Sequence, residues 1–169
     1  MIKYIFAILF SLALFLRINF EVLALPEGTN SSLLNVEYEN VNPGNDLSYT
    51  FKRLKEKITL FFLTPFTDKK LDYYKRLIEV RLAELKYVTD KKDIANIQTT
   101  TQRYSATAGE LTDLVIGYNT LFGKKEDIKN MFMDHLKAVD EFKKSYNDTT
   151  AEWRFVEHVS DSIKLYSAK

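Results

Sequence analysis

The sequence predicts an all-α fold, an antiparallel helical hairpin within a bundle of about five helices that follows an N-terminal signal segment. Glycine and proline are scarce, with 5 and 3 in the 169 residues, and so few turn-forming residues favour long helices over many short strands. Large apolar side chains recur at alternating steps of three and four, which places them along one face of a helix. Hydrophobic residues make up 46% of the chain, which is enough to build a bundle core from such faces.

Composition removes several classes of function. The formal net charge is +1, so no excess of positive charge attracts nucleic acid, and we expect no nucleic-acid partner. Cysteine is absent, which excludes disulfides, thiolate catalysis and cysteine-ligated zinc or iron–sulfur sites. The sequence has no Gly-rich phosphate loop and no nucleophile elbow, so we expect neither an enzyme nor a bound cofactor.

The N-terminus has the layout of a secretory signal peptide. Lys3 gives a short basic region, Tyr4 to Leu16 is an uncharged apolar run of 13 residues, and Val22 to Ala24 offers a small-residue cleavage site. The run is short for a transmembrane helix. We expect residues 1–24 to be a cleaved signal peptide, with an uncleaved anchor or a buried first helix as alternatives. The protein is therefore expected to be exported, either secreted or anchored at the cell envelope.

A linker and one helical domain are expected after the signal segment. Residues 25–45 are rich in Asn, Ser, Glu, Gly and Pro and lack helical periodicity, which is typical of a linker. The helical domain is expected over residues 46–169, with Asp46 as a plausible N-cap of its first helix.

The first predicted helix, which Pro65 ends, carries an apolar seam with charged residues on its other sides. The seam predicts docking on the helices that follow, because a helical hairpin leaves an apolar stripe that a third element must cover. The alternative is contact with a partner or a membrane surface through a phenylalanine-bearing face beside a local excess of positive charge. The seam consists of Leu47, Phe51, Leu54, Ile58 and Phe61, and the candidate contact residues are Phe51, Lys52, Arg53, Lys55, Ile58 and Phe61.

The second and third helices are predicted to form the hairpin, since only a short break separates them. Thr67 is a candidate N-cap for the second helix, and Asp90, with Asp93 three residues later, for the third. Arg81 is the charged residue of the second seam, and we expect its stem to cover the seam while its head stays in water. The third seam is regular enough to predict coiled-coil-like packing. The two seams are Leu71, Tyr74, Ile78, Arg81, Leu85 and Val88, then Ile94, Ile97, Thr101, Tyr104, Ala108, Leu111, Val115, Tyr118 and Phe122.

Two further helices are expected beyond Gly123, the last of them beginning near Asp148 or Thr149. In the third helix, small residues around Gly109 predict the close approach of a neighbouring helix, with a ligand groove as the alternative. The seams of the last two helices are Ile128, Phe132, His135, Val139, Phe142 and Tyr146, then Trp153, Val156, Ser160, Ile163 and Tyr166.

Two stretches carry a family resemblance. They resemble a bacterial family of exported or membrane-anchored helical domains of unknown function, whose pattern reads LKRLxEKIxLFF, then a short break, then KxxLxxxLxxxRLAEL. The later stretch MDHLKAVDEF is similar to the C-terminal helix of that family. The resemblance covers residues 45–90 best and implies an α-helical domain outside the cytoplasmic membrane, with no catalytic residue. The matching residues are Phe51, Lys52, Arg53, Leu54, Glu56, Lys57, Ile58, Leu60, Phe61 and Phe62, then Lys70, Leu71, Leu77, Arg81, Leu82, Ala83, Glu84 and Leu85.

The two histidines are weak candidates for a metal site. Asp161 lies one helical turn after His158, and two helices could bring His158 and His135 to one ion. The paired Glu-x-x-His motifs of helical metal sites do not occur in the sequence, so we expect no metal site. The histidines are instead expected to be hydrogen-bonded or exposed. Ser160 beside His158 and Asp161 suggests a catalytic trio, but residues two apart on a helix point away from each other.

These observations predict an exported interaction or structural module of the cell envelope, without catalysis, that binds a protein partner through a helix face. An extracytoplasmic sensor that holds a small molecule or metal between helices is one alternative. An envelope hydrolase is the other. Membrane association through residues 1–24 or the first helix, and self-association through helices, remain open.

Overall fold

The computed structural model describes residues 41–44 and 47–169. The predicted signal segment 1–24 and most of the linker 25–45 therefore lie outside the described residues. The described part contains five α-helices and no strand, which confirms the all-α prediction. They are α1 (Leu47–Leu63), α2 (Thr67–Asp90), α3 (Ile94–Gly117), α4 (Lys125–Lys143) and α5 (Ala151–Ser167), with a 3₁₀ helix at Asn119–Lys124 between α3 and α4.

Side-chain N-caps fix the first residues of α3 and α5, which the sequence predicted only approximately. Asp93 is the N-cap of α3, where its side chain accepts a hydrogen bond from the backbone N–H of Asn96 at 3.3 Å. The prediction that Asp90 caps this helix is wrong, because Asp90 is the last residue of α2. Lys92 in the turn between them has a φ of 50°, a left-handed conformation that is uncommon for residues other than glycine. Thr150 caps α5 by accepting from the N–H of Trp153 at 3.3 Å.

The bundle core lies among α2, α3, α4 and α5. α2 packs along α3, and α5 packs against both α3 and α4. The predicted seams of these helices face inward, because seams that meet remove apolar surface from water. The buried seam residues include Leu71, Ile78, Leu85 and Val88 on α2, Ile97, Tyr104, Ala108, Leu111 and Val115 on α3, Ile128, Phe132 and Val139 on α4, and Val156 and Ile163 on α5. Ile94 and Tyr118, at the ends of the third seam, are exposed.

At Gly109 of α3 the side chain of Tyr166 on α5 lies close to the helix backbone. A Cβ atom at this position would lie 3.0 Å from the Tyr166 hydroxyl oxygen, so the missing side chain makes room for the tyrosine. The small-residue patch of α3 thus serves helix packing at this point, as the sequence predicted. Among the described residues, no helix is both long enough and apolar enough to cross a membrane.

Helix α1 is attached to the bundle by the face opposite to the predicted one. Its buried residues are Tyr49 and Glu56, whereas Leu47, Phe51 and Phe61 are 74%, 68% and 75% exposed. A helix turns by about 100° per residue, so Glu56, nine positions after Leu47, lies on the far side of the helix. The prediction that the apolar seam of α1 docks on the hairpin is therefore wrong. Its polar face meets the bundle, mainly through α2.

Candidate functional site

The inner face of α1 is held by a buried group of charges centred on Arg81 of α2. The guanidinium of Arg81 donates to Glu84 at 2.8 Å and to Glu56 of α1, and Arg81 and Glu84 have no solvent-exposed surface. The prediction that the Arg81 head stays in water is wrong, because two carboxylates reach it inside the protein. Such pairing is what makes a buried guanidinium tolerable, since an unpaired charge in the interior costs several kcal/mol.

Two cations of α1 complete this group. Lys52 donates to the same Glu84 oxygen at 2.7 Å, and Arg53 donates to Glu56 at 2.7 Å. Burial raises the pKa of Glu56 to about 7, and the Arg53 guanidinium opposes the rise. We call these five residues the ion cluster; they are Lys52, Arg53, Glu56, Arg81 and Glu84. Three cations share two carboxylates, so each carboxylate bridges α1 and α2 with more than one partner.

Tyr49 extends the ion cluster to α3. Its hydroxyl oxygen accepts a hydrogen bond from Arg103 at 2.8 Å. The cationic groups of Lys52 and Arg103 lie 5.2 Å and 5.1 Å from the centre of its ring, within the range of cation–π attraction. Burial, together with the Glu84 carboxylate, raises the pKa of Tyr49 above its ordinary value, so the hydroxyl stays neutral. The inner face of α1 is thus fixed to both helices of the hairpin.

An open cleft of about 350 Å³ lies beside the ion cluster, between α1 and α3. Its size falls within the range of small-molecule sites. Its lining is of mixed charge, with Arg53, Lys57 and Arg103 as cations and Glu56 and Glu110 as acids. Arg53, Glu56 and Arg103 already hold protein partners, so three of these five charged groups are committed within the protein.

The opposite side of α1 is an exposed apolar surface, which we call the outer face. Five of its six side chains are between 52% and 75% exposed, and Ile58 is half-buried. Phe61 and Phe62 contact each other edge to face, with ring centres 5.6 Å apart. An exposed apolar surface that is continuous along a helix is unusual on a monomer, which makes the outer face a candidate interaction site. The outer face consists of Leu47, Phe51, Leu54, Ile58, Phe61 and Phe62.

The structure divides the contact residues that the sequence suggested on α1. Phe51, Ile58 and Phe61 lie on the outer face, and Lys55 is exposed at its edge. Lys52 and Arg53 lie on the inner face, with their charges in the ion cluster. The sequence did not predict that Glu56, Arg81 and Glu84 form a buried group of charges, although an arginine within an otherwise apolar seam indicates such a group.

His135 belongs to a buried hydrogen-bond chain that joins three helices. With the ring proton of His135 on Nε2, toward the Glu79 carboxylate, the Tyr104 hydroxyl donates to Nδ1 of His135 at 2.7 Å. Burial and the Glu79 carboxylate hold the pKa of Tyr104 well above its ordinary value. The Nε2–H group of His135 then donates to Glu79, at 3.1 Å. Tyr104 and His135 have no exposed surface, so no substrate reaches the imidazole without separation of the helices.

The other candidates for metal binding or catalysis are not brought together. His158 is exposed, Asp161 pairs with Lys164 at 3.5 Å, and the Ser160 hydroxyl donates to Asp140 at 3.3 Å. The described part of the chain holds no group of three or more His, Asp or Glu side chains placed to bind a metal ion.

No protein-family model, curated protein or solved structure matches this chain.

Proposed function

We propose that this protein is a non-catalytic binding module of the cell envelope that attaches to another surface through the outer face of α1. One observation carries the proposal: α1 turns its apolar face to solvent and its charged face to the bundle. Burial of one fully exposed large apolar side chain is worth about 1.5–3 kcal/mol. Five of the six side chains of the outer face are more than half exposed, so their burial provides several kcal/mol for docking.

The surroundings of the outer face support a dedicated docking surface. The ion cluster and Tyr49 fix α1 to α2 and α3 by directional hydrogen bonds, so the helix is formed and oriented before anything binds. A preformed surface avoids the entropy cost of ordering a segment on binding. Residues 1–24 are predicted to be a signal peptide that directs export of the protein. This prediction and the resemblance to an extracytoplasmic family support the cell envelope as the location.

Catalysis and ligand sensing have weaker support. The one chain of hydrogen-bonded Tyr, His and Glu side chains in the described part is closed off from solvent at Tyr104 and His135. The cleft between α1 and α3 is lined by charges that are mostly satisfied within the protein. Neither site presents the convergent, uncommitted polar groups that a substrate or small ligand requires.

The double variant Phe51→Ser/Phe61→Ser tests whether the outer face is a surface or part of the core. We expect it to leave the free energy of unfolding within about 0.5 kcal/mol of wild type, because both rings are already exposed. It should also lower the fluorescence of a dye that binds exposed apolar surface. Phe132→Ser is the matched control; Phe132 is 1% exposed, and its loss should cost about 3–5 kcal/mol. If the double variant is as unstable as the control, the outer face is part of the hydrophobic core and the proposal is wrong.

A further inference from the structure

The outer face of α1 is bordered by positive charge on both sides. Lys55 follows Leu54, and Lys57 precedes Ile58, so on a helix that turns by about 100° per residue they lie on opposite edges of the apolar stripe. Both are exposed, and no carboxylate of the described residues pairs with either. The single acidic residue of α1 is Glu56, which faces inward and is held by Arg53 and Arg81. The outer side of α1 therefore carries apolar and basic groups and no acid.

This charge distribution argues against a second copy of the chain as the occupant. Two outer faces in contact would bring Lys55 and Lys57 of each copy beside each other's apolar stripe. The outer side of α1 carries no acidic side chain that could pair with these lysines, so like charges would meet at the edge of the interface. Like-charge contacts oppose association and suppress that pairing.

Phenylalanine-rich stripes edged by lysine match a bilayer surface instead. In an interfacial helix the apolar side enters the boundary between headgroups and acyl chains, and flanking lysines stay at the level of the phosphates. Each lysine near an anionic leaflet adds attraction. We infer that the outer face of α1 docks on an anionic lipid surface, with the helix lying in the plane of that surface. This inference rests on the proposed function and names its target.

The ion cluster gives this membrane contact a particular character. Interfacial helices that are disordered in water must fold as they bind and lose affinity to that ordering. Here Arg81 and Glu84 hold α1 through Lys52 and Glu56, by contacts within the protein itself. The helix therefore meets the bilayer already formed, and its helical content should not change on binding.

A labelling experiment on the full chain tests the inference. The sequence has no cysteine, so one introduced cysteine can be labelled cleanly. The dye NBD, whose emission shifts to the blue and strengthens in lipid, is attached at Leu54→Cys on the outer face. The control is Met133→Cys, an exposed apolar position on α4. Vesicles are made of phosphatidylcholine alone or with about 30% phosphatidylglycerol, a content that gives a clearly negative surface. A site-specific label is needed because the apolar run of residues 4–16 can by itself hold the chain on a vesicle.

The expected result is a blue shift at position 54 with anionic vesicles and none at position 133. Lys55→Gln/Lys57→Gln should raise the lipid concentration for half-maximal shift by about thirtyfold, roughly fivefold for each lysine. Exposed lysines elsewhere provide the matched control, and Lys91→Gln/Lys129→Gln should leave that concentration unchanged. Added salt should weaken the shift in the wild type and have little effect on the Lys55→Gln/Lys57→Gln variant.

Four results would overturn the inference. No shift at position 54 with either kind of vesicle would exclude a lipid surface as the occupant, and the proposed function would survive. Equal shifts with neutral and anionic vesicles would remove the role of Lys55 and Lys57. A shift at position 54 that grows with protein concentration without vesicles would make a second copy the occupant, and the proposed function would survive. A label that is buried in dilute protein without vesicles would show that the chain covers its own outer face, and both proposals would fall.

Discussion

The two faces of α1 reverse the usual relation between burial and polarity. The inner face carries the ion cluster and is buried, whereas the outer face carries three phenylalanines and is exposed. In α2 to α5 the relation is the ordinary one, with apolar seams inside. The orientation of α1 is therefore set by the groups that α2 presents to it and not by the hydrophobicity of α1 itself. α2 presents Arg81 and Glu84 at the docking position, and Glu56 and Lys52 are the groups that match them.

Stability alone does not explain this orientation. A buried ion pair gains little over well-packed apolar residues of similar volume, and replacement of such pairs is often neutral or stabilising. An α1 that turned its phenylalanines inward, against an apolar α2, would therefore be at least as stable. A chain that keeps charges inside and phenylalanines outside gives up burial of apolar area, and the proposed binding through the outer face is a physical reason for that loss.

The largest effect is expected at the centre of the ion cluster. Arg81→Met leaves Glu56 and Glu84 buried with fewer partners, and it should lower the free energy of unfolding by about 3–5 kcal/mol. Chemical denaturation followed by circular dichroism measures this loss. Arg76→Met on the same helix is the matched control, because Arg76 is exposed and its replacement should change stability by less than about 0.5 kcal/mol. Equal stability of the two variants would show that α1 is held by something other than Arg81.

A triple variant tests whether the ion cluster contributes stability beyond pairing its own charges. Glu56→Leu/Arg81→Met/Glu84→Leu removes every fully buried charge of the ion cluster together, while Lys52 and Arg53 retain some contact with water. Because the charges that lose a partner, Lys52 and Arg53, can still reach water, most of the stability lost in Arg81→Met should return. A triple variant as unstable as the single one would mean that the cluster contributes net stability beyond satisfying its own charges.

Matched leucines on the two sides of the comparison give the next effect. Leu85 on α2 has no exposed surface and Leu54 on the outer face is 52% exposed. Leu85→Ala should cost about 2–5 kcal/mol, since it removes buried methyl groups and leaves a cavity. Leu54→Ala should cost no more than about 0.5 kcal/mol. Denaturant midpoints of the two variants measure the difference, and a large loss in Leu54→Ala would place the outer face inside the fold.

The sequence predicted the seams of α2 to α5 because periodicity identifies residues that share a helix face. It could not show which face of α1 meets its neighbour, since that depends on groups brought together from distant parts of the chain. Glu56 and Arg81 are 25 residues apart. Arg81 within an apolar seam predicts either a solvated head or a buried partner, and Glu56 is the acidic residue of α1 that could serve as that partner. The two observations together favour the inward orientation of Glu56, but neither does so alone.

The hydrogen-bond chain inside the bundle shows the same limit. The spacing placed His135 and Tyr104 on inward seams, as the structure confirms. Their separation along the chain is 31 residues, and Glu79 lies 56 residues from His135. No local pattern links such residues. Their contact follows from the packing of α2, α3 and α4, so it cannot be predicted from the sequence of any single helix.

Tyr104→Phe tests this hydrogen-bond chain independently of the ion cluster, and it has the smallest expected effect. The substitution keeps the ring but leaves Nδ1 of His135 without a donor in a site closed to water, which should cost about 1–3 kcal/mol. Tyr118→Phe is the matched control, because Tyr118 is 45% exposed and loses little. Nitrogen chemical shifts of the His135 ring should report the Nε2–H tautomer in the wild type and a change in the variant. If both stability and ring shifts stay unchanged, Tyr104 is not the group that orients His135.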